Sequence, residues 1–318
     1  MELQNFEKKD FEIKKKFSEL MKKEKIKNNR LKLSWSNWGF GLEPIEKSLK
    51  RLKKFNVKYV ELHGNRYSPD LGYKSKELKK MLLDYGIGAS GVCGMVWKES
   101  ELASPSPFIR QRCIDYFKRN VELCKEVGGE YILFTPGAVG RPQKYDDFEF
   151  DRAVETLHIL GDYFLEAGVK AAIEPVRADE VSICHTFADA VEIIKAVNHK
   201  GVSHIAGDVY HMLHHESHIG QTIFDYGDYL INLHMADTNR KALGSGMLDL
   251  DIIIMSLYLI GYNNKNVFLS AEPLGPSADP YYQMYGRTNP EILDKLVSDT
   301  ASYFYQREKI VLEGNKNA

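Results

Sequence analysis

The sequence contains few cysteines, and their spacing argues against a disulfide framework. The chain has 318 residues but only four cysteines, and no two of them form a Cys-x-x-Cys pair. Four cysteines are too few to stabilise a chain of this length through disulfide bonds. They are typical of a cytoplasmic protein whose cysteines stay reduced. We therefore expect a cytoplasmic location, and the apolar share of 43% supports one large core. The cysteines are Cys93, Cys113, Cys124 and Cys184.

An excess of one charge and a long apolar run are also absent. There are 43 Lys and Arg residues against 44 Asp and Glu, so the chain has no overall field to attract a nucleic acid or an acidic membrane surface. No apolar run reaches the roughly 18 residues needed to span a bilayer, and the N-terminus is charged where a signal peptide would be apolar. We expect no nucleic-acid partner, no membrane and a small neutral ligand.

Short apolar runs rich in β-branched residues alternate with longer segments of helical period from Leu31 onward. Eight parallel strands with interleaved helices close most economically into a (β/α)₈ TIM barrel. A doubly wound open sheet is the alternative, but Trp38-Gly39-Phe40-Gly41 lacks the third glycine of its usual turn. The predicted strands are 31–35, 59–63, 87–92, 131–134, 169–174, 204–208, 230–234 and 267–272, and the predicted helices include 44–55, 75–85, 109–127, 148–167, 187–197 and 290–306.

Residues 1–29 stand apart from this pattern. They mix Lys-Lys pairs with apolar residues such as Phe6, Phe11 and Phe17, which predicts an amphipathic helix. Such a helix either contacts a partner or covers the core, and we assign it no catalytic or ligand-binding residue. The predicted organisation is an N-terminal helical extension at 1–29, a TIM-barrel catalytic domain at 30–310 and a C-terminal tail at 311–318.

Four consecutive predicted strands end in a residue that binds metals. Glu174, Asp208, His234 and Glu272 each follow an apolar run, and barrel active sites are built at these carboxyl ends. A lone carboxylate there is usually a helix cap or a lysine partner, but four in succession predict a common site. Three carboxylates and one imidazole suit one divalent ion, and the oxygen-rich set favours the harder ions. We expect Mn²⁺, with Mg²⁺, Co²⁺ and Zn²⁺ as alternatives.

The loops after these strands supply a second set of polar side chains. Glu180, His211 and Arg240 follow three of the four residues at short spacing, so they are candidates to hold sugar hydroxyls or a carbonyl oxygen. His63 ends the second predicted strand, where it would touch substrate or pack as a core histidine. Glu180 is equally suited to a surface salt bridge.

Taken together, these motifs resemble the sugar-phosphate isomerase/epimerase superfamily, which includes the ketose 3-epimerases and shares the xylose isomerase-like TIM barrel. The matching segments are Glu174-Pro with Glu180, Asp208-Val-Tyr-His211-Met, His234-Met-Ala-Asp-Thr-Asn-Arg240 and Glu272-Pro. The resemblance implies that Glu174 and Glu272 are both metal ligands and the acid/base pair on opposite faces of a sugar. It also implies that His211, Glu180 and Arg240 contact substrate oxygens.

Three loops differ from those of the plain ketose epimerases. The segments 62–67, 136–142 and 272–281 are fuller than a small free ketose requires, and they look more similar to the α subunits of bacterial C-glycoside deglycosidases. That resemblance implies a lyase that removes a proton from a 3-keto C-glycoside and expels the aromatic aglycone. It further implies a small β-rich partner subunit in a hetero-oligomer. A ketose 3-epimerase or sugar isomerase is the alternative.

Two other function classes fit less well. A metal nuclease on the same barrel would present further histidines after the third and seventh strands, where this chain has Gly94 and no Asp-x-His. The near-zero net charge of this chain also provides no basic surface for DNA. A non-catalytic sugar-binding barrel would not need both Glu174 and Glu272, although the fold alone does not exclude it. We therefore expect an enzyme that removes a proton next to a sugar carbonyl.

Overall fold

A computed structural model of the chain describes residues 5–23, 29–64, 72–94, 96–273 and 289–314. Its eight strands are all parallel, and they pair in chain order until the eighth returns to the first and closes a barrel. This confirms the predicted TIM barrel and excludes an open sheet. The strands are β1 Leu33–Ser36, β2 Tyr59–His63, β3 Gly88–Cys93, β4 Tyr131–Phe134, β5 Lys170–Ile173, β6 Val202–Asp208, β7 Leu230–Met235 and β8 Phe268–Ala271.

The helices surround the barrel and cover its apolar outer face. The largest described elements begin and end near the predicted residues, except that the last helix continues to Glu313, beyond the predicted end at Gln306. The helices are α1 Asn5–Lys23, α2 Ile45–Lys54, α3 Ser75–Tyr85, α4 Pro107–Val127, α5 Glu149–Ala167, α6 Phe187–Val197, α7 Val209–His215, α8 Ile219–Tyr226, α9 Leu250–Leu259 and α10 Pro290–Glu313. No described helix is long and apolar enough to cross a membrane.

The predicted N-terminal helix forms and packs on the outside of the barrel against α8 and α9. Ile13 and Phe17 are its buried side chains, and the Phe17 ring lies 6.3 Å from that of Tyr258 on α9. Asp10 holds the start of α8, because its Oδ1 lies 3.0 Å from His218 Nε2. Helix α1 therefore forms an additional layer over two barrel helices.

The inside of the barrel is polar beneath the carboxyl ends of the strands. Successive strand residues point to opposite faces, so the inward positions of β2, β7 and β8 carry Glu61, Asn232 and Ser270, all fully buried. The phenol of Tyr131 reaches this layer from β4. Gly91 on β3 makes room for its ring, since a Cβ there would lie 2.6 Å from ring atoms of Tyr131.

Candidate metal centre

Glu174, Asp208, His234 and Glu272 meet at the carboxyl ends of β5 to β8. Asp208 and His234 belong to their strands, whereas Glu174 and Glu272 follow the last strand residue by one position. His234 and Glu272 lie two residues after the inward-facing Asn232 and Ser270, and all four side chains are buried. The barrel therefore brings together the four residues whose convergence the sequence predicted.

The distances between these side chains suit a single cation. His234 Nδ1 lies 3.2 Å from Glu272 Oε2 and 3.8 Å from Glu174 Oε1. Ligand atoms of Glu174, Asp208 and His234 all lie within 4.8 Å of one another. His234 Nδ1 is buried and has no hydrogen-bond partner among the residues that the structure describes. A buried nitrogen facing carboxylate oxygens fits a divalent metal.

The electrostatics of the basin favour a positive charge. Burial raises the pKa of Glu174 well above its usual value, and the neighbouring carboxylates of Asp208 and Glu272 raise it further. Burial opposes the charged form of His234, but Glu272 and Glu61 outweigh it and raise the pKa of the imidazole well above its usual value. A cation would relieve the repulsion among these carboxylates.

Arg240 and His211 both contact Asp208. Arg240 Nη1 donates to Asp208 Oδ2 at 2.7 Å and its Nη2 to Glu272 Oε2 at 3.4 Å, while His211 Nε2 lies 3.3 Å from Asp208 Oδ2. Burial would raise the pKa of Asp208, but Arg240 and His211 hold it at about 2. Burial lowers the pKa of His211 to about 3, so its ring is neutral near pH 7.

The loop after β7 fixes the position of Arg240. Its backbone has φ of 60°, an unfavourable value for a residue with a side chain, and its N–H donates to the Asp237 carbonyl at 2.8 Å. The buried Asp237 carboxylate accepts backbone N–H groups of Thr238, Gly244 and Leu248. These bonds satisfy Asp237 and hold the loop in the conformation that aims Arg240 at the basin.

Glu180 and His63 lie at the edge of this arrangement. Glu180 Oε1 accepts from both Nε and Nη2 of Arg177, and Arg177 Nη1 donates to the Tyr210 hydroxyl at 3.0 Å. Glu180 is thus engaged in an ion pair, as its alternative interpretation anticipated. His63 is buried at the end of β2, where its backbone N–H donates to Asn37 Oδ1 at 2.7 Å and its ring lies 6.4 Å from that of Trp38.

Glu61 is a site residue that the sequence analysis missed. It is fully buried on β2, and its Oε1 lies 2.8 Å from His234 Nε2. The alternation in Tyr59-Val-Glu-Leu-His63 could have revealed it, because it places Glu61 on the same face as His63 inside the barrel. A buried carboxylate in an apolar strand requires such a partner.

Of the three fuller loops, only 136–142 lies wholly within the described residues; positions 65–67 and 274–281 of the other two do not. Arg141 anchors it by pairing with the buried carboxylates of Glu101 and Glu149, at 3.1 and 2.7 Å from Nη2. Glu149 also accepts from Ser182, and Gly140 N donates to the Glu180 carbonyl. This loop is therefore braced against the loop that carries Glu180.

Replacing Arg141 with methionine is expected to lower the free energy of unfolding by about 3–5 kcal/mol, because two buried carboxylates would lose their partner. Urea unfolding followed by circular dichroism measures the change. Lys80→Met removes an exposed ion pair with Asp84 and should change stability by less than about 1 kcal/mol. Equal effects of the two substitutions would contradict a structural role for the Arg141 network.

Residues 49–283 match the profile of the xylose isomerase-like TIM barrel family. The chain belongs to this family. The predicted resemblance to the sugar isomerases and epimerases is thereby confirmed, since related proteins are sugar epimerases.

Two relatives and one structure illustrate the likeness. The 3-dehydro-D-guloside 4-epimerase of Escherichia coli K12 is 26% identical over 255 residues, covering 75% of this chain and 91% of the relative. The D-psicose 3-epimerase of Ruminiclostridium cellulolyticum is 27% identical over 226 residues, covering 69% and 76%. A crystal structure of the IOLI protein with a bound zinc atom superposes with a TM-score of 0.65, at 20% identity, covering 91% of this chain and all of the other.

Proposed function

We propose that this chain is a metal-dependent epimerase that moves a proton on the carbon next to the carbonyl of a keto sugar. The observation that supports it is the placement of Glu174 and Glu272 beyond two different strands, β5 and β8, with both carboxylates facing Nδ1 of the buried His234. Two carboxylates around one basin allow one to remove a proton and the other to return one from the opposite face. A non-catalytic barrel has no use for this pair.

Glu174, Asp208, His234 and Glu272 would hold the metal, and the oxygen-rich donor set favours Mn²⁺. When bound, the ion supplies positive charge that stabilises the oxyanion formed as the neighbouring carbon loses its proton. Arg240 reaches Asp208 and Glu272, so its guanidinium can also hold a substrate oxygen. His211, neutral and buried beside Asp208, can donate or accept one hydrogen bond to a sugar hydroxyl.

The proposed substrate is a keto-glycoside, in which the sugar carries a carbonyl and keeps a group on its anomeric carbon. Support comes from the Escherichia coli relative, which is named for a dehydro-guloside and matches over 91% of its own length. A free ketose is the other substrate that the relatives suggest. The expulsion of an aromatic aglycone from a C-glycoside, aided by a β-rich partner subunit, is a second candidate because it begins with the same proton removal.

A substrate panel in deuterated water distinguishes these reactions. We expect the Mn²⁺-loaded chain to place deuterium next to the carbonyl of a methyl 3-keto-glucoside and to form its epimer, at least about tenfold faster than with fructose or tagatose, by analogy with discrimination through contacts to one group. Mass spectrometry and proton NMR measure both events. Release of aglycone from a 3-keto C-aryl glucoside would favour elimination, and no deuterium uptake with any substrate would refute the proposed function.

A further inference from the structure

Glu61 sits under the candidate metal centre as an acceptor of three hydrogen bonds. Its Oε1 faces His234 Nε2 at 2.8 Å, and its Oε2 accepts from the Tyr131 hydroxyl at 2.6 Å and from Asn232 Nδ2 at 3.1 Å. Ser270 Oγ donates to Asn232 Oδ1 at 2.9 Å. All five side chains are buried, so water does not compete for these bonds.

The direction of each bond follows from the chemistry of the groups. A carboxylate only accepts, so Asn232 must turn its amide nitrogen toward Glu61, as the bond from Ser270 to Asn232 Oδ1 also requires. Burial and the nearby Glu61 raise the pKa of Tyr131 well above its usual value, so its neutral hydroxyl donates. His234 must therefore carry a proton on Nε2.

We infer that Glu61 is a positioning residue that makes Nδ1 the metal-binding atom of His234. With one ring proton held on Nε2 by Glu61, a metal can displace only the proton on Nδ1, the nitrogen that faces Glu272 and Glu174. This inference rests on the proposed function, because it concerns the metal that the epimerase would use.

The isosteric substitution Glu61→Gln tests this polarity. Asn232 and Tyr131 both donate toward the position of Oε2, so the glutamine carbonyl would occupy that position and its NH₂ group would face His234. The NH₂ group donates, which would force His234 Nε2 to accept and would place the ring proton on Nδ1, directed at the metal. We expect affinity for Mn²⁺ to fall by about 10–100-fold, the usual cost of losing such a partner.

A second substitution should reverse the effect. In the double variant Glu61→Gln, Asn232→Asp, the new carboxylate at 232 accepts from the glutamine NH₂ group and from Ser270, and the Tyr131 hydroxyl donates instead to Ser270 Oγ, 3.2 Å away. The glutamine carbonyl then faces His234, Nε2 regains its proton, and Nδ1 is free for the metal. We expect the double variant to recover at least about tenfold of the lost affinity, a tenfold step being about 1.4 kcal/mol. A packing role for Glu61 predicts no such recovery.

The experiment measures Mn²⁺ binding by electron paramagnetic resonance titration, with folding checked by circular dichroism. Glu308→Gln is the matched control, because Glu308 is a buried carboxylate that accepts from Leu31 N and the Tyr258 hydroxyl. This substitution should leave the affinity for Mn²⁺ unchanged.

Parent-like affinity in Glu61→Gln, or a folded double variant that binds as weakly as Glu61→Gln, would overturn the inference. If Glu61→Gln does not fold, a folded double variant that binds no Mn²⁺ also overturns it. Failure of the parent itself to bind Mn²⁺ would instead count against the proposed function.

Discussion

Substitution of Glu174 or Glu272 by glutamine is expected to lower the turnover number for epimerisation by about 10²–10⁴-fold. An amide has the shape of the carboxyl group but cannot accept a proton near pH 7, and loss of one positioned acid or base typically has an effect of this size. Steady-state kinetics on the substrate identified by the panel measure the change. Glu130→Gln is the control, because Glu130 pairs with Lys170 at the opposite end of the barrel.

The two variants should also differ in which epimer exchanges its hydrogen. If Glu174 serves one face of the sugar and Glu272 the other, each variant retains a base for one face only. One epimer should then take up deuterium from solvent without being converted, and the other should not exchange at all, with the preference reversed between the variants. Exchange of both epimers at the parent rate by either variant would remove that carboxylate from the acid/base pair.

The barrel could be predicted from the sequence because its strands are short apolar runs with clear separators. Helix α9 was missed for a physical reason: it is apolar on all sides, with Ile252, Ile253 and Ile254 in succession and all buried. Helix α1 covers its outer face, so α9 has no exposed stripe to give a helical period. Helices α7 and α8 have only seven and eight residues, too few for a periodic pattern to stand out.

The convergence of the four candidate ligands could be predicted because each is placed by its own strand end. Glu61 required a different argument, since it lies in mid-strand and its importance depends on a contact across the barrel with His234. The ion pair of Glu180 with Arg177 depends on the packing of one loop, which no period in the sequence encodes. Residues set by strand geometry are therefore more predictable than those set by loop conformation.

The purified chain is expected to contain about one divalent ion, and Asp208→Asn or His234→Ala should lose it. Loss of one ligand should weaken Mn²⁺ binding by tenfold or more, since changes to groups that merely orient a ligand already cost 10–100-fold. Elemental analysis of dialysed protein measures the content, and titration measures the affinity. His204→Ala is the control, because His204 lies earlier on the same strand as Asp208 and its loss should not alter metal content.

Thermal unfolding provides an independent measurement of the same site that does not depend on activity. A ligand that binds only the folded state stabilises it by about 2.7 kcal/mol at a concentration of 100 times its Kd. Added Mn²⁺ should therefore raise the Tm of the parent and of His204→Ala, and a chelator should reverse the change.

The two ligand variants should not show this rise. In Asp208→Asn, Arg240 also loses its 2.7 Å ion pair, so the metal-free variant should already unfold at a lower temperature. In His234→Ala the loss of Nδ1 removes the nitrogen that faces both Glu174 and Glu272. A parent-like rise in Tm with Mn²⁺ in both variants would place the ion elsewhere and would contradict the proposed centre.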